Sequence, residues 1–488
     1  MADEGGGQGK VDVDTVVESK GDEEAEPKPK LSSSQYFSSV MHAMFLQKPF
    51  LSTMHIFLPP ALYWQFTTRP DDDFNNALLF LFSLLALVPQ AERLGYVTEQ
   101  LSLHLGQTVA GLINVTCGNA PELIVVCVAL FHSNKPTVVQ ESLVGGVLSN
   151  LLLVLGLSLL AGGINHRVQS FNTTFASTLL TALFLMALAI TLITCLPEHM
   201  QTVFMGPGDS IDLVVDNDSP ARGISHVIAV GCLLFYGAFL LFSLKTHADL
   251  VDEGDDDDDD DDDDEDVLGA TGSVVIMAGL TFLLSLVCEG LVDSIEGAAR
   301  TSNLSELFIV AIVLPNVNNA PEHLVAIRLG WKNKVDAVMA IAVGSSAQLG
   351  LFLLPLGIMM DWAQGGHLDL NCKPIVALGV LLAVIFTTVA TSAGKSTWIL
   401  GLALLMAYSA IAGAWYHAPI TSQIFCPDPC IEYVRQGSAT NATLPVNRST
   451  YLYNTLYGNP PKVGGTVSSI LTASKHMNGG HALLAQPM

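Results

Sequence analysis

Two short stretches carry the residue types that could do chemistry. Asn119-Ala120-Pro121-Glu122 recurs letter for letter as Asn319-Ala320-Pro321-Glu322, each between apolar residues. Together they offer two carboxylates and two side-chain amides, an oxygen-rich set. Such donors suit hard cations: Ca2+ takes roughly six to eight oxygens at flexible geometry, from carboxylates, amide and backbone carbonyls, and water. Neither stretch contains a cysteine or a pair of histidines, which argues against a soft metal.

The same carboxylates can carry protons. Two bare negative charges in a low-dielectric setting need compensation, and either protons or a divalent cation can supply it. Competition for one site is the minimal mechanism by which a cation and protons can be exchanged. His323 follows the second glutamate where the first copy has Leu123. An imidazole titrates closest to neutrality among side chains, so His323 either relays protons and tunes Glu322 or simply packs. A single intramembrane glutamate can be a structural hydrogen-bonding group, but two at matched positions read as a functional pair.

What positions such residues is a membrane bundle. The chain has 488 residues, 50% hydrophobic and only 14% charged, with a mean hydropathy of +0.46. Soluble domains carry about 25% charged residues, so most of this chain does not face water. Apolar windows cut by Pro, Gly and charge give about eleven spans: 50–66, 74–95, 107–131, 138–161, 173–196, 225–245, 272–295, 304–329, 335–361, 372–391 and 395–415. The fold class expected is therefore an all-α polytopic membrane protein. The loops 197–223 and 246–270 are too polar to span. Residues 1–46 read as a disordered cytosolic tail with no apolar signal segment, and 416–488 as a C-terminal tail.

The recurrence extends beyond four letters. Glu92 and Glu99 are matched by Glu289 and Glu296, and Gly146-Val147-Leu148-Ser149-Asn150 by Gly344-Ser345-Ser346-Ala347-Gln348. The order is kept and the spacing nearly so, which predicts a duplicated five-helix unit, 74–245 and 271–415, preceded by an extra helix within 47–73. Because five is odd, the second unit enters the membrane from the opposite side: an inverted repeat. Proline breaks each motif helix, and broken backbone at membrane depth is tolerable only where it is packed in protein or lines a cavity. The two motifs are thus expected to face each other near the midplane. Ser149, Asn150, Ser345, Ser346 and Gln348 then line the site or serve as polar glue between helices. Glu92, Glu99, Glu289 and Glu296 either line its entrances or are helix-end charges.

With a cytosolic N-terminus, the connections on that side hold Lys48, Arg93, Arg167, Lys245, Arg328, Lys332, Lys334 and Lys395. The opposite connections hold Arg69, Lys135, Arg222, Arg300 and Lys373, a mild positive-inside bias. Sequons at Asn441 and Asn447 fit a luminal C-terminal tail, where Cys426 and Cys430 either pair or stay free. Residues 255–266 are acidic without exception. The run, represented by Asp255, Asp260 and Asp264, reads as a solvated cytosolic linker or as a cation-sensing, regulatory segment. So acidic a chain does not suit nucleic acid. No nucleophile–base pair or phosphate loop points to an enzyme.

These residues resemble a known family. AERLGYVTEQLSLHLGQTVAGLINVTCGNAPELIV (91–125) is similar to the first signature region of the calcium/proton exchangers, the cation/proton exchanger (CAX) family of the calcium/cation antiporter superfamily. IEGAARTSNLSELFIVAIVLPNVNNAPEHLVAI (295–327) and NKVDAVMAIAVGSSAQLGLFLLPLG (333–357) resemble the second. The likeness spans about 74–415, and an acidic segment between the halves is also a family feature. It implies Glu122 and Glu322 as shared cation and proton ligands, Asn119 and Asn319 beside them, and His323 assisting. Ser149, Asn150, Ser345 and Gln348 would line the site. It implies Ca2+, in some members Mn2+, as transported substrate, protons as counter-ion, the lipid bilayer as surroundings, no cofactor, and a vacuolar or other acidic-organelle membrane. The chain departs from the pattern at Pro121 and Pro321, where the family usually has Thr or Ala, and at Asn318, where it has Gly. An APE triplet is closer to the sodium/calcium exchangers. A sodium-coupled calcium exchanger is therefore the alternative, with a calcium-regulated channel-like protein behind it.

Overall fold

The computed structural model describes residues 38–417 except 43, 45–48, 70–71, 106–108, 111–112, 114–117, 196–219 and 247–266. The acidic run, the sequons, Cys426 and Cys430, nearly all of the N-terminal tail and most of the 197–223 loop lie outside the described residues.

Local chemistry sets the helix limits. Helix α1 (Leu58–Thr67) follows a short turn of 3-10 helix and carries proline in its first turn, where the missing N–H costs nothing. Asp72 caps α2 (Asp73–Ser102) by accepting from the Asn75 amide at 3.1 Å. Helix α3 (Ala120–His132) is followed by α4 (Pro136–Asn165), α5 (Thr173–Cys195) and α6, which starts at Pro220 and ends in a π turn at Phe242–Thr246. Helix α7 (Gly269–Ser302) stops where Asn303 turns left-handed at φ 57°, a conformation asparagine tolerates better than most residues. Ser305 caps α8 (Glu306–Asn318) by accepting from the Phe308 amide. Then come α9 (Ala320–Trp331), α10 (Val335–Ala363), α11 (Pro374–Thr391) and α12 (Trp398–Tyr416).

Among the described residues, eight helices are long and apolar enough to cross a membrane: α2, α4, α5, α6, α7, α10, α11 and α12. The three other expected spans come as shorter pieces. The 304–329 window is divided at Asn319 into α8 and α9, the described part of 107–131 is helical at 109–110 and 113 but leaves the helix at 118–119 before α3 begins, and 50–66 is interrupted at Met54–Phe57. Apolarity alone does not make one continuous rod. Proline and asparagine inside an apolar window divide it.

The packing has a centre and a rim. In α4 and α10, 83% and 67% of the apolar window is buried by protein, against 11% in α6 and 22% in α12. Outer faces present Leu234, Phe282, Val389 and Met406 to the surroundings, as a bilayer requires. The central helices approach closely through small residues: a Cβ on Gly145 of α4 would strike the Ala311 backbone of α8. Both central helices loosen into a π turn at their middle, Ser149–Val154 in α4 and Gln348–Leu353 in α10. Such turns occur frequently at functional sites.

Helices α2 and α7 run antiparallel, and so do α4 and α10. Asp73 at the start of α2 pairs with Arg300 at the end of α7 at 2.8 Å, while Gln100 at the end of α2 accepts from Val267 just before α7. Gln140 near the start of α4 and Asp361 near the end of α10 both bond the 368–371 loop. At the other end, Asn172 bonds Asp336 at the start of α10, and strands β1 (Gln169–Ser170) and β2 (Lys395–Ser396) pair antiparallel. Lys135, Arg300 and Lys373 are tied by ion pairs to Glu296, Asp73 and Glu141 at the first end.

Candidate functional site

The site forms where α3 and α9 begin. Asn119 and Asn319 hold nearly the same non-helical backbone, φ −101° and ψ 35° against φ −93° and ψ 12°, and each is followed by a helix with proline at its second position and glutamate at its third. Proline there sacrifices no hydrogen bond, and a carboxylate in the first turn sits at the positive end of the half-helix dipole. The sequence thus places Glu122 and Glu322 in equivalent settings by local rules alone.

Tertiary structure then interleaves the halves. Glu122 faces Asn318 and Asn319 of the second motif and lies within electrostatic reach of Glu322. Asn119 donates its amide to Gln348 of α10. Glu322 receives the Ser345 hydroxyl at 3.5 Å, at the limit of a hydrogen bond. A cavity of about 20 Å³ is lined by Glu122, Ser142, Gly146, Pro315, Asn318 and Asn319. A volume of this size holds about one water-sized particle.

Its chemistry is read from what lacks a partner. Asn119 Oδ1, Glu122 Oε1 and Asn318 Oδ1 are buried acceptors without a donor. Orphaned buried acceptors are unfavourable, by about 1–3 kcal/mol each, and a cation or a proton is what satisfies oxygen lone pairs. These donors fit a hard cation as substrate.

Several expected residues take other places. Ser346 is fully buried, but its hydroxyl returns to the Ala342 carbonyl of its own helix at 2.7 Å; it turns away from the cavity, because a helical serine can always satisfy itself one turn back. Ser149 lies off the cavity and donates to Asn316 Oδ1. Asn150 and His323 are buried with Nδ2 and Nε2 unpartnered, and neither lines the cavity. Of the expected entrance acids, Glu92 is buried beside Arg93 at 3.3 Å and Glu99 is exposed. Glu289 pairs with His132 at 2.9 Å, and Glu296 with Lys135 and Arg300 at 3.4 and 3.8 Å. None touches the cavity.

The sequence reading missed a second layer. Asn316 donates to the Tyr408 hydroxyl at 2.6 Å while accepting from Ser149. In the other half the Tyr236 hydroxyl faces Gln348, the partner of Asn119. A tyrosine from α12 and one from α6 therefore each bear on an amide that supports one broken helix. Asn316 and Asn318, in the stretch Pro315-Asn316-Val317-Asn318-Asn319, were the available signal: three amides in four positions of an apolar window.

Fold and site define a helical membrane protein with a small buried cavity at its centre, beside oxygens that have no hydrogen-bond donor. The family model described as sodium/calcium exchanger protein matches residues 75–245 and 272–415. The vacuolar cation/proton exchanger 3 of Arabidopsis thaliana is 38% identical over 351 residues, covering 70% of this chain and 74% of its own. A Ca(2+)/H(+) antiporter of Aphanothece halophytica is 33% identical, covering 72% and 93%. The solved structure of native YfkE aligns with a TM-score of 0.60 at 27% identity, covering 76% of this chain and all of that one. The chain belongs to the sodium/calcium exchanger protein family, and to its cation/proton exchangers.

Proposed function

We propose that this protein exchanges Ca2+ for H+ across the vacuolar membrane or that of another acidic organelle. Glu122 and Glu322 would bind either the cation or protons, and the site would open to each side in turn. The observation that carries this reading is the cluster of donorless oxygens at Glu122, Asn119 and Asn318, set across two broken helices. The opposed directions of matched helices support an extra N-terminal helix followed by two inverted five-helix repeats, eleven membrane elements in all, of the kind that rock about a fixed central site. In this reading His323 assists proton movement, and Asn319 joins the ligands when α9 shifts. Ser149, Asn150, Ser345 and Gln348 hold the two broken helices in register.

The names of the relatives favour proton over sodium coupling. Calcium uptake into vesicles under an imposed proton gradient, compared with an imposed sodium gradient, separates the two. Uptake is expected with the inside acidic and at no more than background with sodium alone. Sodium-driven uptake of equal rate would reverse the assignment.

The acidic run belongs to regulation. Fifteen acids between Asp249 and Asp266 make a dense negative run in the sequence between α6 and α7. Such a field binds cytosolic cations weakly or docks on basic loops. Deleting residues 255–264 should keep transport and shift its dependence on cytosolic calcium about two- to fivefold, the scale of a fraction of a kcal/mol to one kcal/mol. Full loss of transport in a correctly inserted deletion protein would place the run in the pathway instead.

A further inference from the structure

The two motifs are not identical in their approach. Gly118 precedes Asn119, whereas Asn318 precedes Asn319. At this one position the second half has a side chain where the first has none. That side chain is 6% exposed, lines the cavity with Glu122, and leaves its Oδ1 without a donor. Its amide end faces the Glu122 carboxylate, to which only Nδ2 can donate. Asn318 thus lies beside the carboxylate with its carbonyl oxygen unpartnered, in the lining of a cavity the size of one small particle.

We infer that Asn318 is a cation ligand and sets the preference of the site for Ca2+ over smaller divalent ions. This rests on the exchange reading above, which already counts the Asn318 oxygen, and adds a selectivity to it. One more neutral oxygen raises the coordination number without adding charge. Ca2+ accepts seven or eight oxygens at roughly 2.3–2.6 Å, whereas Mn2+ is satisfied by about six in an octahedron. The extra oxygen therefore helps the larger, more highly coordinated ion. It also makes the site lopsided: the second motif contributes an oxygen that the first cannot. The geometry explains why the cavity lies against Glu122 rather than midway between the carboxylates, since Asn318 and Asn319 both reach across to that side.

The test compares Asn318→Gly, which copies the first motif, with Asn318→Asp, which keeps Oδ1, removes the Nδ2 donor and adds a carboxylate charge. Calcium and manganese binding are titrated calorimetrically on the purified full chain at one pH, and the same variants are assayed for proton-driven uptake in vesicles. Asn318→Gly should weaken calcium binding and raise the calcium KM about tenfold while manganese changes about threefold or less. Asn318→Asp, which keeps the oxygen and adds a negative charge, should bind calcium at least as tightly as the parent. Unchanged calcium affinity and unchanged calcium-to-manganese ratio in Asn318→Gly would overturn the inference. So would equal weakening in both variants, which would assign the effect to the lost amide donor. The binding titration needs no proton gradient, so a parent protein that failed to exchange would count against the exchange reading while the binding comparison still decided the role of Asn318.

Discussion

Replacing Glu122 or Glu322 by glutamine is expected to abolish exchange in a protein that still folds and inserts. Glutamine keeps the size of the side chain and removes both its charge and its transportable proton. Glu122 is where the consequence should be plainest, because Oε1 already lacks a donor and the Asn318 and Asn319 amides already face the carboxylate. Removing one member of a buried charged set costs about 3–5 kcal/mol, and each 1.4 kcal/mol is a factor of about ten in affinity. Transport at sub-saturating calcium should fall by about a hundredfold or more, while membrane yield and thermal stability stay near those of the parent. Glu322→Gln keeps an acceptor for the Ser345 hydroxyl, so its loss should likewise come from charge rather than from packing. Near-normal proton-driven uptake by either variant would remove that carboxylate from the shared site.

The second large effect concerns the form that carries nothing. With calcium or with protons aboard, the charges of Glu122 and Glu322 are compensated. An empty site would expose two bare carboxylates to a dry interior at an effective cost of several kcal/mol, which slows its reorientation by about a thousandfold. Coupling then needs no separate gate: the only form that crosses readily is a loaded one. Calcium-for-calcium exchange should persist without any proton gradient. Net calcium release into a solution free of calcium and held at alkaline pH should be slower by about that thousandfold. Rapid net release under those conditions would mean a pathway that does not depend on the charge state of the pair.

Much of this was legible from the residues, because the decisive signals are local. Asparagine and proline inside an apolar window announce a broken helix whatever surrounds them, and both breaks fall at Asn119 and Asn319. The repeat of the acids and of the small-polar cluster pointed to two halves; of that expectation the structure gives the antiparallel run of α2 and α7. Pairing was not legible. Asn119 meets Gln348 across 229 residues, and no local pattern says which amide of the second half will be its partner. Ser346 and Ser345 are neighbours of the same type, yet one bonds its own helix and the other faces Glu322, since adjacent helical positions point about 100° apart. The acids at 289 and 296 sit in ion pairs with His132, Lys135 and Arg300, partners supplied by chain that only the fold brings near. Tyr236 and Tyr408 gave no sign at all: each is a tyrosine in an apolar helix, and only packing shows what its hydroxyl meets.

The most direct test of the account is to count both ions at once. Purified protein is reconstituted into sealed vesicles that hold a calcium indicator and a pH indicator, with acid inside and calcium outside, and the membrane potential is clamped. Shared carboxylates require that calcium entry and proton exit begin together, keep a fixed ratio as calcium is varied, and vanish together in Glu122→Gln and Glu322→Gln. Calcium entry that continues at the same rate when the interior is brought to the outside pH and left without calcium, or a proton flux that survives both substitutions, would contradict exchange at this site.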